Sequence, residues 1–319
     1  MTESPGQGGK VVILTGGVGG AKLALGMAHA GLDAEITAIV NTGDDFEHMG
    51  LRISPDIDTL LYTLSGKANA AQGWGREGET WSFMHAAKSL GAPDWFNLGD
   101  GDLALHVLRT QALRDDRSLS DITRRFAQSW GITMRVLPMT DQPLATIVHT
   151  DEGDLPFQSY FVEKRCAPIV RDISFMGEAD AKPAKNVVAA ITDPDNRAVI
   201  IAPSNPFLSI APILSVSGIA DALRQTDAPV VAVSPLVGGQ AVKGPTSKIM
   251  TELGLAHDAC AVAEFYGDII DAMLVDERDD PSIALPEGIV VCHADTLMHS
   301  LADKVRVAKA ALVLADTMR

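Results

Sequence analysis

Cysteine is nearly absent from this 319-residue chain: only Cys166, Cys260 and Cys292 occur. Their odd number and wide spacing exclude a disulfide framework and provide no zinc-ligand pattern, so free core thiols in a reducing, cytoplasmic setting are expected. Positive charge is also scarce. The 26 Lys and Arg stand against 41 Asp and Glu, for a formal charge of −15. Nucleic acid and anionic membrane surfaces both require a basic face, so neither is expected as a partner. No apolar run approaches the roughly 18 residues of a transmembrane helix. The opening MTESPGQGGK lacks the apolar segment of a signal peptide, and residues 1–9 are expected to form a disordered leader.

What is present begins with a β–turn–α–β pattern. The apolar run Val11–Leu14 ends in the glycine-rich turn TGGVGGAK (15–22), Ala21–Ala30 has helical spacing, and Ala34–Val40 forms a second strand. This is the opening of a parallel α/β sheet. Residues 55–130 are mainly helical, with a start at Pro55, a helix after Asp102 and an N-cap at Ser118 or Ser120. From Thr133 to Ile173 the pattern changes to short β-like runs, among them FQSYFVEKR, whose alternation predicts a half-exposed antiparallel strand. Alternation of helix and strand then resumes to the C-terminus. The expected fold is α/β: a single Rossmann-like parallel-sheet domain over 10–319 with a helical and β insertion at about 63–180.

The glycine turn fits neither familiar nucleotide motif. After Gly17 and Gly19 the third glycine of a dinucleotide fingerprint falls at Lys22, and a Walker loop fails because Ala21 and Leu23 flank that lysine. What remains is a strand, a glycine turn and a helix N-terminus, which present N–H donors and a dipole to an anion; tight helix–sheet packing is the alternative. Asn41–Thr59 then places Asp44, Asp45, Asp56 and Asp58 directly after the second strand. Four carboxylates exceed what capping requires, and Mg²⁺ favours one or two carboxylates completed by phosphate oxygens. Two later strand ends carry further donors. One is APSNPFLSIAP (202–212) with Ser204 and Asn205; the other is VSPLVGGQAVKGPTSK (233–248) with Lys243 and Lys248. His48, His106 and His149 have no metal-ligand spacing, and Asp100 and Asp102 either line the same cleft or cap a helix.

Taken together, GGVGGAK (16–22), NTGDD (41–45), PDIDTLLY (55–62), WFNLGDGDLALH (95–106), LPMTDQP, PSNPFLSI, VSPLVGG, KGPTSK and VDERD resemble the 2-phospho-L-lactate transferase family of coenzyme F420 biosynthesis. Related nucleotide-sugar-binding regulators share the fold but are less similar in the aspartate loop. The resemblance implies a Mg²⁺-dependent transfer of a phosphoacid from its guanosine diphosphate derivative to the ribityl hydroxyl of the deazaflavin Fo, releasing GMP. The transferred acid would be 2-phospholactate, phosphoenolpyruvate or 3-phosphoglycerate. Carried over by residue, Asp58 would meet Fo or its metal. Asp44 would ligate metal or orient the attacking hydroxyl, with Asp45 and Asp56 in support as further metal ligands. Gly16, Gly17, Gly19, Gly20, Lys22, Ser204, Asn205 and Lys243 would hold the nucleotide. A homodimer is the expected assembly. Gly101 stands where the family carries a basic residue, so a charge contact expected at the acceptor or the phosphoacid is either missing or supplied from elsewhere.

Overall fold

A computed structural model describes residues 9–69, 72–242 and 244–319. Apart from Gly9, the expected leader lies outside the described residues. Seven strands form the central sheet: β1 (Lys10–Thr15), β2 (Glu35–Val40), β3 (Arg135–Pro138), β4 (Asn196–Ile201), β5 (Val230–Val233), β6 (Ala272–Asp276) and β7 (Val290–Ala294). All neighbours run parallel, in the order β3-β2-β1-β4-β5-β6-β7. The Rossmann-like parallel core expected from the sequence is therefore the observed one.

Two hydrophobic cores lie on opposite faces of this sheet, as strand alternation requires. Val12, Leu14, Ile39, Val199 and Ile201 face one core; Val11, Ile13, Ala38, Val40, Ala198 and Ile200 face the other. The second core is covered by helices α1 (Gly17–Ala28), α2 (Pro55–Leu64) and α4 (Leu301–Asp316). Helix α3 (Asp100–Arg114) belongs to the helical stretch between β2 and β3. Helix α4 starts on a capping box in which Ser300 and Asp303 exchange hydrogen bonds.

Three local expectations are corrected. FQSYFVEKR is not a strand: Ser159–Glu163 forms a single π-helical turn that buries Tyr160. The antiparallel sheet is built instead from Ala145–Thr150, Gly153–Pro156 and Val170–Met176. An aromatic-rich run of this length is ambiguous by periodicity alone. Second, the stretch 63–180 is not wholly peripheral, because Arg135–Pro138 within it pairs with β2 as an edge of the main sheet. Third, all three cysteines are half-buried rather than in the core. Among the described residues no single helix is long and apolar enough to cross a membrane.

Helix α1 approaches α4 so closely that a Cβ on Gly26 would lie 2.1 Å from the Lys304 carbonyl oxygen. Backbone cannot yield there as a side-chain tip could. Gly26→Ala is therefore expected to destabilise the fold by about 1–3 kcal/mol, the usual range for overpacking, measured by urea unfolding. An unchanged midpoint would show that α4 moves freely over α1.

Candidate active site at the reversal of strand order

Strand order reverses between β1 and β4, and in open α/β sheets ligands bind outside the carboxyl ends of strands at such a point. The glycine turn leaves β1 here, the Ser204–Asn205 turn leaves β4, and the aspartate loop leaves the neighbouring β2. The Ser204 hydroxyl accepts from the Gly16 N–H at 3.2 Å and donates to the Gly16 carbonyl at 2.7 Å, locking the first two turns together. The glycines make this contact possible. A Cβ on Gly20 would lie 2.6 Å from Ser204 Oγ, and one on Gly19 only 2.4 Å from the Pro203 carbonyl oxygen. Helix–turn packing thus accounts for Gly19 and Gly20 without any ligand.

Asp56 sits at the centre of the constellation. Its Oδ1 accepts the Gly17 N–H at 2.7 Å, and its Oδ2 accepts from the Asn41 side-chain amide at 2.9 Å. Asp56 thus caps α1, a different helix from its own. With Gly16 bound to Ser204 and Gly17 to Asp56, the first-turn donors left for an anion are the N–H groups of Val18 and Gly19. Gly17 has φ +63°, a conformation that favours glycine.

The other three aspartates have different surroundings. Asp58 is held by a bidentate pair with the Arg109 guanidinium of α3, with 3.1 Å between Arg109 Nη1 and Asp58 Oδ2. His106 Nδ1 lies 3.7 Å from the same oxygen. Asp45 accepts from the Ser54 hydroxyl at 2.6 Å and faces Arg52 at 3.6 Å, while its Oδ1 is buried without a partner. Asp44 Oδ1 is likewise buried and unpartnered, as is Thr42 Oγ1 beside it. Among the described residues no group of three or more His, Cys, Asp or Glu side chains could hold a metal. The four aspartates therefore do not converge as one ligand set. Asp44 and Asp45, which keep open oxygens, fit a cation completed by substrate and water oxygens. The carboxylates of Asp56 and Asp58 are already engaged.

Burial dominates the electrostatics. It pushes the Asp44 carboxyl well up, reinforced by the Asp56 charge and partly offset by the Asn41 side chain. It raises Asp45 to about 7 against the opposing Arg52 charge and Ser54 hydrogen bond, and Asp56 to about 6. Asp58 also rises by burial, opposed by Arg109. His106 falls to about 3 through burial and the Arg109 charge, so its ring is neutral.

The remaining candidates separate clearly. Asn205 Oδ1 accepts from the N–H groups of Phe207 and Leu208, and its Nδ2 is buried without a partner, a donor facing no acceptor of the chain. The Lys22 ammonium bonds the Met298 carbonyl at 2.9 Å. Lys243 lies outside the described residues. Asp100 caps the helix Ser82–Ser89 through the N–H groups of Ser82 and Phe83, and Asp102 accepts from the Tyr62 hydroxyl. Arg109 escaped the sequence reading. Its signal is a polar stripe on one face of α3, Asp102, His106 and Arg109, at helical spacings of four and three.

Two outcomes follow from this geometry. Arg109→Met strands a buried carboxylate and should cost about 3–5 kcal/mol, measured by urea unfolding, and adding Asp58→Asn should restore much of the loss; equal instability of the double variant would show the pair to be incidental. The second concerns pH. The folded Asp45 keeps its proton to about pH 7, whereas the unfolded chain loses it near pH 4, so its contribution is complete below that and fades as pH rises through 7. In EDTA, wild-type protein should lose thermal stability relative to Asp45→Asn between pH 5 and 8, and parallel curves would refute the shift.

Comparison with known proteins agrees along the whole chain. The family model described as 2-phospho-L-lactate transferase CofD matches residues 11–314. A phosphoenolpyruvate transferase of Kitasatospora aureofaciens is 41% identical over 97% of this chain and 99% of its own length. A 2-phospho-L-lactate transferase of Methanopyrus kandleri is 38% identical over 97% and 98%. A crystal structure of a UPF0052-family protein from Bacillus halodurans shares the fold, with a TM-score of 0.62 at 16% identity, covering 96% of this chain and 99% of that one. A glycine turn, an aspartate loop and a Ser-Asn turn assembled at one sheet edge, in a sequence matched over nearly its whole length, place this chain in the CofD family of 2-phospho-L-lactate transferases.

Proposed function

We propose that this chain transfers a phosphoacid from its guanosine diphosphate derivative to the ribityl hydroxyl of Fo, yielding an F420-0-type product and GMP. The observation that carries this reading is the pair of buried, unpartnered carboxylate oxygens on Asp44 and Asp45, beside a helix N-terminus with open donors. A carboxylate that burial disfavours gains most from a divalent cation. Bound Mg²⁺ supplies charge neutralisation at the diphosphate.

The chain's own groups do the positioning. Val18 and Gly19 N–H and the Asn205 amide hold diphosphate oxygens. The acceptor hydroxyl approaches Asp58, whose plane Arg109 fixes while each oxygen retains a further lone pair. The hydroxyl oxygen forms a bond to the phosphorus of the phosphoacid as the bond from that phosphorus to the GMP oxygen breaks, and the hydroxyl proton passes to the Asp58 carboxylate. No protein nucleophile takes part, so rate enhancement comes from placement and charge. Half-buried rings of Phe46, which follows Asp45 in the chain, and of Trp95 and Phe96 meet at centroid distances of 4.9 to 5.9 Å, an apolar wall suited to the flat deazaflavin ring. The cytoplasm fits this chemistry and the free thiols, and a homodimer is the proposed assembly.

The test is product mass spectrometry after incubation with Fo, Mg²⁺ and, separately, the guanylylated lactate, enolpyruvate and glycerate donors. A metal-dependent mass gain on Fo together with GMP is expected, and it names the acid. Asp44→Asn should lower turnover by about 100-fold or more, with circular dichroism unchanged. No product from any donor, in folded protein, would reject the reading.

A further inference from the structure

The far side of the sheet carries two motifs that this chemistry does not use. The loop after β5 turns through Gly238 and Gly239, and the loop after β6 carries the end of VDERD (275–279). Asp279 joins them, because its Oδ1 accepts the Gly239 N–H at 2.7 Å. Gly238 and Gly239 have φ of +59° and +71°, the left-handed pair of a tight hairpin turn. That turn presents the N–H group to the carboxylate.

The two aspartates of this loop are treated differently. Asp276 has both oxygens satisfied by Arg278 and Thr296. Asp279 is only 5% exposed, yet its Oδ2 is buried with no hydrogen-bond partner. An acceptor buried in this way is costly to the free protein and is satisfied when a ligand donor meets it.

Its position suggests the donor. β6 lies two strands from β4, whose end carries Ser204 and Asn205. At about 4.8 Å per strand this is roughly 10 Å, comparable to the reach of a nucleoside between its phosphate and its base. The aspartate cluster lies in the opposite direction, at the ends of β1 and β2. A nucleotide whose diphosphate lies at the start of α1 therefore extends its base over β5 towards Asp279.

We propose that Asp279 reads the base of the donor nucleotide, accepting hydrogen bonds from the N1–H and 2-amino edge of guanine. Adenine presents an acceptor at N1 and would oppose the carboxylate lone pairs. This inference rests on the guanosine-donor reading above and makes Asp279 a specificity residue outside the reacting centre.

Calorimetric titration of the Mg²⁺-loaded protein with GDP, IDP, 1-methyl-GDP, XDP and ADP tests it. Wild-type protein should bind GDP about 10-fold tighter than IDP and about 100-fold tighter than 1-methyl-GDP or ADP, as expected when a buried polar group loses its partner. Asp279→Asn keeps an acceptor for Gly239 but presents a donor in place of Oδ2. It should lose about 100-fold for GDP and prefer XDP. A guanine preference that survives in folded Asp279→Asn overturns the inference and leaves the donor reading standing. GDP binding no tighter than ADP in the wild type overturns both. If Asp279→Asn does not fold, the wild-type comparison decides, and equal binding of GDP and 1-methyl-GDP overturns the inference.

Discussion

The carboxylate of Asp56 ties together three segments on which the site depends. Through Gly17 it holds the start of α1, and through Asn41 it holds the end of β2, while it stands itself in the first turn of α2. Gly16 has to lack a side chain for this to happen, since a Cβ there would fall 2.6 Å from Asp56 Oδ2. Glycine turn, aspartate loop and helix start are thus one unit, fixed by charge-assisted hydrogen bonds that burial strengthens.

That unit concentrates negative charge where solvation is poor. Asp44, Asp45, Asp56 and Asp58 are all buried, with Arg109 the one fully buried cation among the described residues and Arg52 at the margin. Each carboxyl is raised by desolvation. The free protein bears this strain at the positions where a cation and a diphosphate would relieve it. Buried carboxyl groups with raised pKa values are a recurrent feature of pre-organised sites.

The sheet divides the labour by direction. At the reversal of strand order, the chain offers two backbone N–H groups and the Asn205 amide. Towards β2 lie the carboxylates and the aromatic wall; towards β5 and β6 lie the glycine hairpin and Asp279. Relatives named for different acids, phosphoenolpyruvate and 2-phospholactate, match this chain almost equally well. The difference between the acids is a few atoms, which a pocket distinguishes by small changes in shape and polarity.

The sequence by itself determined the parallel α/β core, because buried strands and their glycine turns leave local, periodic signals, and it marked the loops that gather at one edge of the sheet, because Asp, Ser and Asn cluster at strand ends. It also determined the family, through motifs spread over the whole chain. Other features depended on contacts between residues far apart in sequence, and only the tertiary structure decided them. Asp56 caps a helix 39 positions away, and Arg109 reaches Asp58 across 51. The π-helical turn at Ser159–Glu163 replaces an apparent strand because Tyr160 is buried there. Above all, four aspartates equivalent in sequence became two engaged carboxylates and two with open oxygens, a distinction that partner geometry creates and residue type cannot encode.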